Sequence, residues 1–151
     1  MKYELIQSEG IYPGRAFPVR RDRLRLPDGG ESSLDVVDHV GSVVLLPLDD
    51  DGRLLFVRQY RHPTGLDLLE MPAGMLEAGE APEACARREV REETGMAAGR
   101  LVHAGGFYLA PGYSTEYMNV YIARDLHPDP LQPDADEVLQ VEAIPLEDAL
   151  R

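Results

Sequence analysis

The chain has 151 residues, of which 44% are hydrophobic, and its formal net charge at pH 7 is -12. This length and composition are typical of one globular domain with a hydrophobic core. A strongly acidic surface repels nucleic acid and anionic lipid, which excludes nucleic-acid and membrane-surface partners. An anionic substrate would therefore need local compensation, either from clustered arginines or from a bound cation.

The sequence shows no targeting or membrane-spanning segment. The opening stretch MKYELIQSEGIYPGR has neither the apolar region nor the small-residue cleavage site of a signal peptide. No apolar run approaches the length of a membrane-spanning helix. The single cysteine, Cys85, excludes an internal disulfide framework and fits a reducing compartment. We therefore expect a cytoplasmic protein.

The part of the chain before about Ser33 is polar and basic. Within it, VRRDRLRLPDGG alternates in part and ends in a turn signal, which predicts a β hairpin arm. A basic run is usually a solvated face. In an acidic chain it also favours contact with a phosphate or with a second subunit.

The middle of the chain predicts strands followed by one helix. SVVLLPL and RLLFVRQY are typical of strands on either side of the turn DDDG, and LLEMPAG is a short extended segment. The helix is predicted within EAPEACARREVREETG. Pro82 suits its first turn, Glu80 and Glu83 favour its N-terminus electrostatically, and Gly95 is placed to end it.

The last part of the chain predicts three more strands. RLVHAGGFYLA and EYMNVYIARDL are separated by PGYST, and an acidic loop, PDADE, precedes the strand VLQVEAIPL and the helix start LEDALR. Strands combined with one central helix predict a mixed α/β layer fold. We expect its final helix to be cut short where the sequence stops.

The predicted helix carries more carboxylate on one face than solubility requires. Glu89, Glu92 and Glu93 lie three and four positions apart, so they share a face and repel one another. Hard divalent cations such as Mg²⁺ prefer carboxylate oxygens, and Arg88 can hold one carboxylate in place. The alternative is a solvated acidic helix with Glu–Arg pairs, and the E-x-x-E-E cluster alone does not decide between the two.

A longer pattern around this cluster favours the metal site. The motif G-x5-E-x7-R-E-U-x-E-E-x-G-U, where U is a bulky aliphatic residue, is matched by Gly74, Glu80, Arg88, Glu89, Val90, Glu92, Glu93, Gly95 and Met96. The chain thereby resembles the Nudix hydrolase family. From about Gly41 onward, FVRQYRHP, LLEMPAGMLEAGE, APGYSTE and DADEVLQVEAIPLEDAL resemble its ADP-ribose pyrophosphatase branch. Pro111 stands where that branch carries a proline, although an ordinary turn would also explain it.

The resemblance implies a fold and an activity. The fold is α/β, a Nudix α/β/α sandwich with a mixed sheet, forming one domain over residues 1–151. Residues 1–38 or so would be an N-terminal β arm, exchanged between subunits of a homodimer. The Nudix motif, here called the box, spans residues 74–96. The activity is Mg²⁺-dependent hydrolysis of the diphosphate of ADP-ribose, giving AMP and ribose 5-phosphate. The alternatives are hydrolysis of another nucleoside diphosphate sugar, a dinucleotide or an oxidised nucleotide, and a non-catalytic module that senses nucleotides.

The resemblance also implies metal ligands and catalytic groups. Mg²⁺, with Mn²⁺ as an alternative, would be held by Glu89, Glu93, the carbonyl of Ala73 and, as a further ligand, Glu92. Glu92 and Glu93 are thus catalytic candidates, together with Glu137 as the base that activates water. Asp134 and Asp136 are less favoured, because Ala135 occupies a place where the branch can carry an acidic residue. A solvated acidic turn is the alternative for this loop.

The same resemblance suggests substrate-binding residues. Arg61 matches an arginine that reaches ligand phosphates, and Glu116 matches an acidic residue near the terminal ribose. Glu70 is expected to hold the box loop or to contact the ligand. His39 is a candidate for the adenine end, although a lone histidine is more often structural.

Overall fold

The computed structural model describes residues 2–132 and 138–151. Its elements in chain order are β1 Glu4–Pro13, β2 Pro18–Arg25, β3 Glu31–Val37, β4 Ser42–Pro47, β5 Arg53–Arg61, β6 Leu66–Glu70, β7 Ala73–Met75, α1 Pro82–Thr94, β8 Met96–Tyr108, β9 Tyr117–Pro128, β10 Leu139–Pro145 and α2 Leu146–Ala149. The predicted mixed α/β fold, mostly strands with one main helix, is confirmed.

The strands form three sheets, with strand orders β1-β2-β3, β10-β5-β6 and β7-β4-β9-β8. The last is mixed, because β4 runs parallel to β9 and antiparallel to β7. The strands β4 and β5 flank the predicted DDDG turn but belong to different sheets. Leu48, just after β4, forms an isolated bridge with Leu54 of β5.

The chain divides into two compact units. One consists of Met1–Gly41 and Phe107–Tyr117, and the other of Ser42–Gly106 and Met118–Arg151. In the first unit, the hairpin predicted around VRRDRLRLPDGG is present as β2 and β3. A further strand, β1, pairs antiparallel with β2. The sequence did not predict β1, because nearly all of its residues are exposed and no buried face imposes an apolar alternation.

The core of the second unit lies between α1 and the mixed sheet. Val43 and Leu45 of β4 and Ala123 of β9 are fully buried, together with Cys85, Ala86 and Val90 of α1. Small side chains on α1 let the helix approach the sheet closely. Burial of each Val or Leu side chain contributes roughly 1.5–3 kcal/mol. This packing holds α1 against β4, which precedes it in the chain, and β9, which follows it.

The last helix of the structure is short. The predicted helix start is present as α2, four residues from Leu146 to Ala149, and none of them is buried. In the described part of the chain, no helix is long and apolar enough to cross a membrane.

Candidate active site

Helix α1 is the element that presents the carboxylates. Its N-cap, Ala81, makes no side-chain hydrogen bond, and Pro82 follows it as predicted. At the other end Gly95 has φ 73°, and its N–H donates to the carbonyl of Arg91. This left-handed residue ends the helix where the sequence predicted. Between these ends, Glu89 and Glu93 are buried, with 7% and 5% exposure.

Two carboxylates buried on one helix require partners, since an uncompensated charge in the interior is costly. The carboxylate of Glu93 accepts a hydrogen bond of 3.0 Å from the backbone N–H of Ala73. Ala73 is the first residue of β7, so this bond ties the end of α1 to the strand that opens the box. The contact spans 20 positions of sequence.

Glu89 lies directly against Gly74. A β-carbon added to Gly74 would overlap the carboxylate of Glu89, so only glycine leaves room for that side chain. The sequence pattern contained both residues but did not indicate that they touch.

Arg88 joins the remaining carboxylates of the box. Its Nη1 donates to Glu89 Oε1 at 2.6 Å and to Glu92 Oε2 at 2.8 Å. Its Nε and Nη2 donate to Glu80 Oε1 at 3.1 Å and Oε2 at 3.0 Å. Nη2 also donates to the carbonyl of Met75 at 3.1 Å. The sequence predicted that Arg88 can hold one carboxylate in place, but nothing in the pattern indicated its bond to the Met75 carbonyl.

These contacts shift three pKa values. The hydrogen bond from Arg88 is the main reason that the pKa of Glu80 falls to about 2. The hydrogen bond to Glu80 is the main reason that the pKa of Arg88 rises, with further contributions from Glu89 and Glu92. Burial, reinforced by the nearby carboxylates, raises the pKa of the Cys85 thiol to about 12. Cys85 therefore stays a protonated thiol, and its side chain packs in the core between α1 and the sheet.

A cleft of about 290 Å³ lies beside this network, and its lining residues are Gly74, Met75, Leu76, Glu77, Arg88, Glu89 and Glu92. Three of the expected metal ligands, Glu89, Glu92 and Glu93, lie on α1. The fourth, the carbonyl of Ala73, lies on β7. The structure therefore brings the box candidates together within the second unit.

The donor chemistry of the box fits a divalent cation, because carboxylate and carbonyl oxygens are the ligands that Mg²⁺ prefers. Over residues 2–132 and 138–151, however, no three His, Cys, Asp or Glu side chains are arranged to hold a metal ion. The reason is that the box carboxylates are hydrogen-bonded to groups of the protein. Glu89 and Glu92 are turned to Arg88, and Glu93 is turned to the Ala73 N–H.

The substrate-binding candidates Arg61 and Glu70 form an ion pair on adjacent strands. Arg61 Nη2 donates to Glu70 Oε2 at 2.6 Å, and Arg61 Nε donates to both carboxylate oxygens at 3.0 and 3.2 Å. The side chain of Arg61 is 42% exposed. Glu70 thus holds Arg61 in a fixed orientation from the next strand, a contact that the sequence reasoning did not identify.

The candidates His39 and Glu116 lie together in the first unit. His39 Nε2 is 4.0 Å from Glu116 Oε1, and its Nδ1 accepts a hydrogen bond from the Gly41 N–H at 3.0 Å. The backbone N–H of His39 donates to Thr115 Oγ1 at 2.8 Å. Thr115 therefore positions His39, and no signal in the sequence pointed to it, since the two lie 76 positions apart.

The acidic loop expected to supply the base, with Asp134, Ala135, Asp136 and Glu137, lies outside the described residues. Pro111 lies in a turn, where the N–H groups of Tyr113 and Ser114 both donate to the carbonyl of Ala110.

The chain is similar to known proteins over most of its length. The family described as NUDIX domain matches residues 38–151. An ADP-ribose pyrophosphatase of Bacillus subtilis (strain 168) is 36% identical over 153 residues, covering 100% of this chain and 83% of the relative. One of Mycobacterium tuberculosis (strain ATCC 25618 / H37Rv) is 43% identical over 125 residues, covering 82% of this chain and 60% of the relative. A crystal structure of an ADP compounds hydrolase superposes with a TM-score of 0.89 at 27% identity, over 99% of this chain and 82% of that one.

Proposed function

The chain belongs to the NUDIX family, and on that basis we propose that it hydrolyses the diphosphate of ADP-ribose to AMP and ribose 5-phosphate. The observation that carries the proposal is the pair of buried carboxylates on α1, Glu89 and Glu93, packed against the glycine and the backbone N–H that open the box. The similarity to two enzymes named ADP-ribose pyrophosphatase supports this substrate.

Mg²⁺ is the cation we propose, with Mn²⁺ as a substitute. Glu89, Glu92, Glu93 and the carbonyl of Ala73 would hold it. When bound, such a cation neutralises charge on diphosphate oxygens and lowers the pKa of a coordinated water.

The protein groups then have separate tasks. Arg61, oriented by Glu70, would bind a phosphate oxygen and partly compensate the acidic charge of the chain. Glu116 and His39 would contact the nucleoside or the terminal ribose. Glu137 would accept a proton from the attacking water, whose oxygen adds to one phosphorus while the bridging oxygen leaves with the other phosphate. The products are two monophosphates.

The experiment that tests the activity is product analysis with ADP-ribose in MgCl₂ and in excess chelator. A panel of other nucleoside diphosphate sugars, dinucleotides and oxidised nucleotides is measured in parallel. We expect AMP release that requires the cation and is fastest with ADP-ribose. Faster cleavage of another member would keep the chemistry and reject the substrate. Tight nucleotide binding without any product would favour a nucleotide-sensing module, which the complete box argues against.

A single substitution tests the role of the box. We expect Glu93→Gln to lower kcat by about two to four orders of magnitude, because it removes a charged ligand of the cation that would neutralise the phosphate charge. Glu83→Gln is the matched control, since Glu83 lies on the same helix with a 60% exposed side chain. Near-normal turnover of Glu93→Gln, with the control also active, would contradict the assignment.

We also propose that the protein is a cytoplasmic homodimer. Large apolar side chains are exposed on the strands of the first unit and the turns that join them, namely Leu5, Ile11, Tyr12, Phe17 and Leu34. Such side chains favour a protein interface. Light scattering at micromolar protein should give the mass of two chains, and a monomer mass would reject the dimer. The single buried cysteine supports the cytoplasm as its compartment.

A further inference from the structure

The guanidinium of Arg88 uses all of its donors inside the box. An arginine side chain has five N–H groups. Two of them, on Nη1, reach Glu89 and Glu92. The other three, on Nε and Nη2, reach the two oxygens of Glu80 and the carbonyl of Met75. The group therefore has two sets of partners, one on the carboxylates proposed as metal ligands and one away from them.

A bound cation would affect the hydrogen bonds of Nη1 differently from those of Nε and Nη2. A divalent cation needs oxygens of Glu89 and Glu92, and Nη1 now holds one oxygen of each, Oε1 of Glu89 and Oε2 of Glu92. The cation would also repel a guanidinium hydrogen-bonded to the carboxylates that bind it. Glu80 and Met75 are outside the proposed ligand set, so their bonds to Nε and Nη2 can persist. Three carboxylates surround one guanidinium, so the cluster keeps a net negative charge and still attracts a cation.

We propose that Arg88 is a positioning residue that exchanges with the metal. In the metal-free protein its Nη1 holds Glu89 and Glu92 together and offsets their repulsion. When a divalent cation binds, Nη1 releases both carboxylates, while Glu80 and the Met75 carbonyl keep the side chain beside the site. This inference rests on the proposed function, because it requires that the box binds a divalent cation.

The proposed exchange and a purely supporting role of Arg88 predict opposite changes in Mg²⁺ affinity when Arg88 is removed. If Arg88 only organised the ligands, its removal would disorder them and weaken metal binding. If Arg88 competes with the cation, its removal takes away a donor that the cation would have to displace from Glu89 and Glu92, and metal binding tightens. The sign of the change therefore separates the two roles.

The experiment is calorimetric titration of chelator-treated protein with MgCl₂ at physiological ionic strength, comparing wild type, Arg88→Met and Arg87→Met. Arg87→Met is the matched control, because it removes the same charge from the next position, where the side chain contacts Glu83 and the Ala98 carbonyl. We expect Arg88→Met to lower the Kd of Mg²⁺ by roughly tenfold, equivalent to about 1.4 kcal/mol, and Arg87→Met to change it much less. A weaker affinity in Arg88→Met, or an equal change in both variants, would overturn the exchange.

A measurement on the wild type keeps the test independent of whether Arg88→Met folds. In protein labelled with ¹⁵N-arginine, the Arg88 signals are assigned by their loss in Arg88→Lys. Titration with MgCl₂ should shift the Nη1 resonances strongly while Nε, held by Glu80, shifts little. Unchanged Nη1 signals while calorimetry shows Mg²⁺ binding would reject the exchange and leave the proposed function intact. Absence of Mg²⁺ binding by the wild type would reject both.

Discussion

At Gly74 the box depends on the absence of a side chain, since the carboxylate of Glu89 occupies the place of a β-carbon. We expect Gly74→Ala to lower the free energy of unfolding by roughly 1–3 kcal/mol, as overpacked interiors do, and to reduce turnover because Glu89 is displaced. Urea denaturation and steady-state kinetics measure the two effects. Gly10→Ala is the control, because no atom lies within 4 Å of the added methyl group there. Equal stability of the two variants would contradict the packing argument.

Glu80 makes a further residue-scale prediction, on acid stability. Its pKa falls from an ordinary 4.5 to about 2 in the folded protein, chiefly because of the hydrogen bond from Arg88. A lowered pKa in the folded state stabilises the protein above the unfolded pKa, and that stabilisation is lost as the pH falls toward 2. Glu80→Gln should therefore cost roughly 1–3 kcal/mol near neutral pH, since solvent screening reduces the effect of the full pKa shift, and progressively less between pH 4.5 and 2.

Urea denaturation across this pH range measures the difference between wild type and Glu80→Gln. Glu83→Gln, an exposed position on α1, should show no comparable pH dependence. A cost of Glu80→Gln that stays constant down to pH 2 would disprove the role of the carboxylate.

The sequence predicted which residues form the box but not how each is held. The helical period places Glu89, Glu92 and Glu93 on one face, and that depends only on local spacing. It does not distinguish a carboxylate that points into a cleft from one buried against a backbone. The bond from the Ala73 N–H to Glu93 and the placing of His39 by Thr115 join distant positions, and no local pattern encodes them.

At the scale of elements, the end of α1 was predictable because a left-handed cap requires glycine. Gly95 has φ 73°, which costs an L-residue with a β-carbon about 1 kcal/mol. We expect Gly95→Ala to lower the free energy of unfolding by about that amount. Gly95→Asn should cost less, since asparagine tolerates this conformation. Urea denaturation of both variants measures the difference, and a larger cost for asparagine than for alanine would contradict the argument.

The sheets were less predictable than the elements that compose them. Strands β4 and β5 were predicted from their apolar runs, but short runs do not specify partners, and the two strands enter different sheets. Strand β1 was missed because its sequence lacks a buried face. Pairing is decided by contacts between distant segments, which a reading of local patterns does not contain.

For the whole molecule, the net charge of -12 should act on cation binding at long range. The acidic chain attracts divalent cations, and added salt screens that attraction, with a Debye length of about 10 Å at 0.1 M. We therefore expect the Kd of Mg²⁺ to rise severalfold between low and high KCl. Calorimetry at a series of KCl concentrations, with pH held constant, measures this change. A Kd that does not depend on salt would show that only the local ligands determine affinity.

Because Cys85 is buried, the reactivity of its thiol can be used to measure local opening of α1. The thiol is the single one in the chain, is fully buried, and accepts a contact from Arg88 Nη2 at 3.4 Å. A thiol reagent can reach it only when α1 moves away from the sheet, so the labelling rate under native conditions counts those openings. The labelling rate, measured with and without a bound cation, would show how strongly cation binding suppresses the opening of α1.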